Sequence, residues 1–216
     1  MASKRTWMSL VCCAAAFAAA GCESSKPGEI GTLPMPELDF SPGSPVGGAG
    51  PGPASPARPP GREWRHIVIH HSATERGSAA VFDRAHRKRG WDELGYHFVI
   101  DNGHGGPDGR IEVGSRWRSQ KWGAHTGGTP GNEYNEHGIG ICLVGNFQNH
   151  APTPKQLASL RRLVGHLAAE CGIPPGRIIG HRDAPNARTA CPGHKLHRYI
   201  HTTLRPEVAR LGAWSR

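Results

Sequence analysis

The sequence predicts an α/β domain in which a mixed central β-sheet is flanked by helices. Short apolar runs typical of buried strands, such as residues 67–69 and 139–144, recur along the chain. Between them lie longer segments whose apolar residues repeat every three or four positions, as on one face of a helix. Strands that alternate with helices form a layered domain in which the helices cover the sheet.

The first predicted elements are a buried strand and a helix. Residues 65–71 are apolar through their middle and are interpreted as a strand buried on both faces. Ser78 is a suitable N-cap for a helix that continues to about Arg89 and ends at Gly90. The apolar positions expected on its inner face are Phe82, Ala85 and Val81.

Two further strands and a long helix follow. Residues 96–101 and 110–113 are predicted strands joined by a glycine-rich loop, and residues 139–146 form another buried strand. Thr153 and Gln156 make a capping box, with proline at the first helical position. The helix that they open is expected to bury Leu157, Leu160, Val164, Leu167 and Cys171 and to end at Gly172. A short strand at residues 178–179 and a last helix over about residues 194–211 complete the domain.

The N-terminal residues differ in composition from the domain. Residues 1–22 have a basic start and an alanine-rich apolar stretch, and they end Ala19-Ala20-Gly21-Cys22, like a bacterial lipoprotein signal peptide. We therefore expect lipidation at Cys22 and a lipid-anchored protein in the bacterial cell envelope, at a periplasm-facing membrane surface. An ordinary secretory signal is the alternative. Residues 23–62 contain ten prolines and eight glycines and predict a disordered tether, which leaves residues 63–216 as the folded domain.

Cysteine content and charge limit the possible partners. Of the domain cysteines, Cys142 and Cys171 are interpreted as small buried residues, with a bridge between them left open. From Glu63 onward the chain has 21 Lys and Arg residues against 13 Asp and Glu residues, a formal charge of +8. In an exported protein this charge favours anionic polymers or lipid surfaces. We exclude nucleic acid, because no nucleic-acid-binding motif accompanies the charge.

Three residues that are distant in the sequence together predict a zinc site. His70 ends the apolar run of the first strand, His181 follows the strand at residues 178–179, and Cys191 precedes the last helix. Polar residues that follow strands in α/β domains meet at one edge of the sheet. Two imidazoles and one thiolate give zinc three protein ligands and leave a fourth position for water, as in catalytic zinc sites. The sequence therefore predicts a zinc hydrolase.

Six short motifs contain these three residues or lie between them in the sequence. They are Ile67–Thr74, Gly95–Phe98 (Gly-Tyr-His-Phe), Gly123–Thr126 (Gly-Ala-His-Thr), Gly138–Gly145, Gly180–Asp183 (Gly-His-Arg-Asp) and Thr189–Gly193 (Thr-Ala-Cys-Pro-Gly). As a set they resemble the zinc-dependent N-acetylmuramoyl-L-alanine amidases, the family that includes peptidoglycan recognition proteins and bacteriophage lysozyme-type amidases. The resemblance covers residues 64–205.

The resemblance implies a fold, a reaction and site residues. The fold is that of the peptidoglycan recognition proteins and amidases, and the bond cleaved joins N-acetylmuramic acid to the L-alanine of the stem peptide. His70, His181 and Cys191 would be the zinc ligands, with Tyr96 and Thr189 as catalytic residues. Zinc lowers the pKa of bound water and polarises the carbonyl, while hydroxyl donors stabilise the developing oxyanion. The glutamate that some cytoplasmic relatives carry in the strand at residues 142–144 is missing here.

Other residues are assigned by their place in the motifs. His125 and Asn135 are interpreted as substrate-binding residues, with a structural histidine as the alternative for His125. Trp117 and Trp122 are candidates for an aromatic wall that contacts sugars or for core and lid packing. His104 is interpreted as an exposed loop residue rather than a groove residue. His71 should face away from the zinc site, since neighbouring residues of a strand point to opposite faces.

We therefore expect a monomeric zinc amidase whose substrate is peptidoglycan or a muropeptide. A non-catalytic peptidoglycan-binding module is the alternative from another class. A third hypothesis keeps the enzyme but changes the bond, to that of an endopeptidase or of a recycling enzyme specific for anhydro-muropeptides. The sequence does not determine the preferred stem-peptide residue.

Overall fold

The computed structural model describes residues 62–212. The predicted signal peptide, Cys22 and the tether up to residue 61 lie outside the described residues. Within residues 62–212, no helix combines the length and the hydropathy that crossing a membrane requires.

Five strands form one mixed sheet, as the sequence predicts. They are β1 (His66–His71), β2 (Phe98–Ile100), β3 (Ile111–Val113), β4 (Gly138–Leu143) and β5 (Ile178–Gly180). Their order across the sheet is β3-β2-β4-β1-β5, and only the β2–β3 pair is antiparallel. The central strands β1 and β4 are buried along almost their whole length, which explains why both are continuous apolar runs.

Helices lie on both sides of this sheet. They are α1 (Ala79–Lys88), α2 (Ser115–Arg118), α3 (Glu133–Glu136), α4 (Pro154–Cys171), α5 (His194–Tyr199) and α6 (Arg205–Leu211). The last predicted helix is divided, because a wider π-helical turn at Ile200–Leu204 separates α5 from α6. Pro206 follows this turn and has no N–H to donate to a regular helical ladder.

Helix α1 follows the prediction at its start but not on its inner face. The Ser78 hydroxyl accepts a hydrogen bond from the backbone N–H of Val81 at 3.3 Å, which caps the helix. Phe82 is buried, whereas Val81 is 41% exposed, so its predicted inner position is wrong. His86, one turn after Phe82, is buried instead, and its Nδ1 accepts a hydrogen bond from the Gly95 N–H at 2.9 Å.

Helix α4 begins with the predicted capping box. The Thr153 hydroxyl accepts from the Gln156 N–H at 3.0 Å, and the Gln156 side-chain oxygen accepts from the Thr153 N–H at 3.2 Å. Gly172 ends the helix with a positive φ of 65°. Of the predicted inner residues, Leu157 and Cys171 are only half-buried. The fully buried aliphatic residues of the helix are Leu160, Leu163, Val164 and Leu167.

Replacing Leu160 with alanine is expected to lower the free energy of unfolding by about 3 kcal/mol. The side chain is fully buried in the main core, and removing it leaves a cavity there. Urea denaturation of the full chain measures the effect. Glu170→Ala, at an exposed position of the same helix, is the matched control and should shift stability by less than about 0.5 kcal/mol. Equal stability of the two variants would contradict the burial of Leu160 in the main core.

The two faces of the sheet carry different groups. One face packs against α4 and the C-terminal helices and forms the main core. The other face carries a smaller apolar cluster that contains Phe82, Val99 and Cys142, with Tyr96 packed against it. Cys171 packs against the main core, so the sheet separates it from Cys142 and the bridge left open by the sequence is not formed.

Candidate metal centre

The three predicted zinc ligands lie together at one edge of the sheet. His70 is near the end of β1, and His181 follows directly after β5. Because β1 and β5 are parallel neighbours, both residues emerge at the same edge. Cys191 reaches this edge from the loop before α5, and its backbone oxygen accepts a hydrogen bond from the Arg182 N–H at 2.9 Å. The ligand atoms of His70, His181 and Cys191 all lie within 4.8 Å of one another.

The measured separations suit tetrahedral zinc. Cys191 Sγ lies 3.6 Å from His70 Nδ1. Zinc–nitrogen and zinc–sulfur bonds at a tetrahedral angle place the two ligand atoms about 3.6 Å apart. The ring centroids of His70 and His181 are 4.6 Å apart. Two nitrogens and one sulfur form a donor set that zinc prefers.

The protonation states of the two histidines and the burial of the cysteine also fit a metal centre. Burial, reinforced by the neighbouring His125 and His181, holds the pKa of His70 well below its usual range, and burial lowers the pKa of His181. Both imidazoles are therefore neutral, which is the form that binds metal. Burial raises the pKa of Cys191 to about 12. A thiolate at this depth needs a cation beside it, and the donor set is therefore suited to a bound metal ion.

A chain of hydrogen bonds that ends at His70 Nε2, the ring nitrogen that faces away from Cys191, orients the imidazole. His125 Nε2 lies 3.2 Å from the Gly138 carbonyl oxygen, which can only accept, so this nitrogen carries the proton. Burial holds the pKa of His125 well below its usual range, so its Nδ1 has no proton and accepts. His70 Nε2 lies 3.1 Å from that Nδ1 and donates to it, and the Thr126 hydroxyl lies 2.8 Å from the same nitrogen. The lone pair of His70 Nδ1 is left facing Cys191 Sγ.

Replacing His125 with phenylalanine is expected to weaken zinc affinity about 10–100-fold, as loss of the hydrogen-bond partner of a metal-binding histidine usually does. The ring is retained, but the acceptor for His70 Nε2 is lost. Competition with a chromophoric chelator measures the affinity, and thermal unfolding confirms that the variant is folded. His104→Ala removes an exposed loop histidine and serves as the control. Unchanged affinity in His125→Phe would refute the orienting role.

Tyr96 is near the predicted metal ligands, on the same side of the sheet. Its ring centroid is 5.2 Å from that of His70 and 6.4 Å from that of His125. Burial, together with the nearby thiols of Cys142 and Cys191, holds the pKa of Tyr96 well above its usual range. The hydroxyl therefore keeps its proton and can act as a donor.

Thr189 and Asn135 form hydrogen bonds within the protein. The Thr189 hydroxyl oxygen accepts from the Cys191 N–H at 3.1 Å, which holds the ligand loop. The Asn135 side-chain oxygen accepts from the N–H groups of His125 and Thr126, both at 2.8 Å. Asn135 also lines a cavity together with the exposed Trp122. The catalytic role of Thr189 and the substrate-binding roles of His125 and Asn135 stay predictions.

The remaining sequence assignments divide between surface and core. His104 is exposed, as expected. Trp117 is buried and packs against Trp64 and Phe98, with ring centroids 5.9 and 5.0 Å away, so it is a core residue. His71 faces the main core as predicted, and its Nδ1 accepts from the Phe147 N–H at 3.2 Å.

His97 is a supporting residue that the sequence did not single out. Its Nδ1 accepts from the Gly140 N–H at 2.9 Å, and its Nε2 donates to the Lys121 carbonyl at 3.1 Å. The histidine thus ties β4 to the loop that leads to His125. Burial lowers its pKa to about 4, which keeps the ring neutral. Its place beside Tyr96 in a family motif was the only sequence signal.

Comparison with known proteins agrees with this site. The family model described as N-acetylmuramoyl-L-alanine amidase matches residues 60–194, which include all three predicted ligands. An N-acetylmuramoyl-L-alanine amidase of Sus scrofa is 33% identical over 131 residues, covering 56% of this chain and 19% of that protein. The chain thus spans about a fifth of the length of the pig protein.

Shorter relatives are matched over most of their length. An endolysin of Enterobacteria phage K11 is 30% identical over 150 residues, covering 65% of this chain and 88% of the endolysin. Among solved structures, the N-acetylmuramoyl-L-alanine amidase LysC from Clostridium intestinale superposes with a TM-score of 0.55 and 30% identity. That superposition covers 70% of this chain and 87% of LysC.

Proposed function

Because this chain belongs to the N-acetylmuramoyl-L-alanine amidase family, we propose that it hydrolyses the amide between N-acetylmuramic acid and the L-alanine of a peptidoglycan stem peptide. The observation that carries the proposal is the convergence of the ligand atoms of His70, His181 and Cys191 within 4.8 Å. A site with two nitrogen donors and one sulfur donor is suited to zinc with one position open to solvent or substrate.

Zinc, when bound by these three residues, supplies Lewis acidity toward the scissile carbonyl and lowers the pKa of water. The protein supplies orientation and charge. His125 Nδ1 accepts a hydrogen bond from His70 Nε2–H and so keeps the His70 Nδ1 lone pair directed at the metal position. The His71 backbone N–H lies 3.4 Å from Cys191 Sγ and stabilises negative charge on that sulfur.

Tyr96 and Thr189 are the proposed hydrogen-bond donors to the reacting carbonyl oxygen. Tyr96 keeps its proton because burial raises its pKa, so it can donate to the negative charge that develops on the oxygen. The Thr189 hydroxyl already accepts from the Cys191 N–H, which leaves its own proton available for donation. Neither side chain adds a formal charge to the site.

Product analysis tests the proposal directly. The full chain is incubated with purified peptidoglycan, and mass spectrometry identifies the released fragments. We expect free stem peptides that begin at L-alanine, together with glycan strands that keep an intact lactyl group, and we expect chelation to stop their release. Release that continues at full rate after the metal has been removed would refute the zinc-dependent reaction.

Other products would select the other hypotheses. Fragments cut within the stem peptide would indicate an endopeptidase, and activity restricted to anhydro-muropeptides would indicate a recycling enzyme. Tight sedimentation with peptidoglycan without any released peptide would indicate a binding module. Since the three metal ligands are all present and brought together, the enzyme is favoured over the module.

We also propose that the protein is exported and anchored to a membrane of the cell envelope through a lipid on Cys22, where it acts as a monomer. The proposal rests on the apolar leader, the residues before Cys22 and the Pro- and Gly-rich tether. Cell fractionation of the wild type and Cys22→Ala tests it, with wild type expected in the membrane and the variant released. Equal release of both would refute the anchor, and light scattering of detergent-extracted protein tests the oligomeric state.

A further inference from the structure

A second group of potential metal ligands lies beside the metal centre. It comprises Asp183, at the end of the turn that begins with His181, together with His197 of α5 and His201 of the π-helical turn. His197 and His201 are four residues apart, so their side chains lie on one face of the helix. Their Nε2 atoms lie 2.7 and 3.0 Å from the two carboxylate oxygens of Asp183. The three ligand atoms lie within 4.8 Å of one another.

The hydrogen bonds show how the group is held without a metal. A carboxylate only accepts, so both Nε2 atoms donate protons to Asp183. The Gly180 N–H also donates to Asp183, at 2.9 Å, and fixes the carboxylate beside the turn. The Arg205 guanidinium lies 3.0 Å from His201 Nδ1 and donates to it. The carboxylate and both imidazoles therefore already point toward a common centre.

We propose that Asp183, His197 and His201 form a second site for a divalent transition-metal ion, of the class of Zn²⁺ and Ni²⁺. Two imidazoles and one carboxylate suit these metals, whereas Ca²⁺ and Mg²⁺ require mainly oxygen ligands. The side chains are 25–34% exposed, so solvent can complete the coordination. On binding, the proton of each neutral imidazole moves from Nε2 to Nδ1, and the two freed Nε2 lone pairs and the Asp183 carboxylate share one cation.

The position of this site gives it a structural role. Asp183 belongs to the turn that carries the ligand His181, and α5 begins three residues after the ligand Cys191. A metal ion shared by Asp183 and the helix would therefore tie together the two segments that supply two of the three ligands of the metal centre. Occupancy of the second site should stabilise this edge of the domain against local opening.

Arg205 gives a further prediction, because its position beside His201 should weaken metal binding. A neutral histidine that binds a metal through Nε2 carries its proton on Nδ1. That proton would meet the guanidinium of Arg205, which has only donors, so the arginine must turn away from His201 when the metal binds. Its positive charge also repels the cation. Removing Arg205 should therefore tighten binding.

Calorimetric titration with Ni²⁺ tests the site in the full chain carrying Cys191→Ser and His70→Ala, so that only His181 of the metal centre remains. We expect one Ni²⁺ equivalent that is lost, or weakened at least about tenfold, in His197→Ala and in His201→Ala. His194→Ala, an exposed histidine at the start of the same helix, is the matched control and should leave this equivalent in place. An equal loss in the control, or no loss in the two variants, would overturn the proposal.

Arg205→Ala gives an independent test that needs no loss of a ligand. We expect Ni²⁺ to bind several-fold more tightly to this variant and to raise its unfolding temperature more than that of the parent chain. Unchanged or weaker binding would overturn the proposed geometry. The test does not depend on amidase activity, so its failure would leave the proposed reaction in place, and a failure of the reaction would leave the second site in place.

Discussion

Replacing Cys191 with serine is expected to abolish tight zinc binding at the metal centre and to lower the rate of stem-peptide release by about a thousandfold or more. Serine is nearly isosteric, but its hydroxyl is a poor zinc ligand compared with a thiolate. The Lewis acidity of a metal ion stabilises the transition state by several kcal/mol. At 1.4 kcal/mol per tenfold change, losing this contribution accounts for a rate loss of about three orders of magnitude.

Zinc content after dialysis and the rate of product release should fall together in Cys191→Ser. Cys171→Ala is the matched control, because Cys171 packs against the main core, away from the ligands. That variant should keep both zinc and activity. A Cys191→Ser protein that retains tight zinc and full activity would show that the thiolate is not a ligand. Thermal unfolding of each variant distinguishes loss of the metal from loss of the fold.

Replacing Tyr96 with phenylalanine is expected to lower kcat about 100–1,000-fold, while zinc content stays unchanged. Loss of one hydrogen-bond donor to a developing oxyanion typically costs this much. The ring still packs against His70 and the small apolar cluster, so the fold and the ligands should be preserved. KM should change little, because the hydrogen bond strengthens only as charge develops on the oxygen.

Tyr199→Phe removes a hydroxyl from a tyrosine that packs against the main core, and it controls for the loss of a phenol. Its kcat should match that of the wild type. If Tyr96→Phe instead loses zinc, or raises KM without a change in kcat, Tyr96 would be a supporting or substrate-binding residue rather than the donor. Steady-state kinetics on a defined muropeptide separates these outcomes.

The strands of the sheet and the convergence of the three predicted zinc ligands were accessible to sequence reasoning for local reasons. β1 and β4 are continuous apolar runs, and such runs are typical of strands buried on both faces. His70 and His181 directly end or follow predicted strands, so α/β topology alone places them at one edge. The capping box of α4 was also predictable, because it involves only residues within four consecutive positions, Thr153 to Gln156.

The features of the site that the sequence did not predict depend on contacts between segments that are distant in the chain. The contact of His125 with His70 joins residues that are 55 positions apart, and it depends on the path of a loop without apolar periodicity. The inner position of His86 was missed because a hydrophobic pattern assigns a histidine to the surface, whereas here a backbone N–H satisfies it. Asp183 and His197 were not paired, since the π-helical turn and the preceding loop determine where α5 lies.

The strand pairing has a consequence for the order of events during synthesis. β1 cannot pair with β5, its parallel partner, until synthesis has added more than 100 residues, from Ile67 to Ile178. At typical rates of about 5–20 residues per second, this delay is roughly 5–20 s. Cys191 emerges later still, so over this interval the nascent chain holds a single histidine of the metal centre. In a chain exported before it folds, zinc would therefore be acquired at the destination and not at the ribosome.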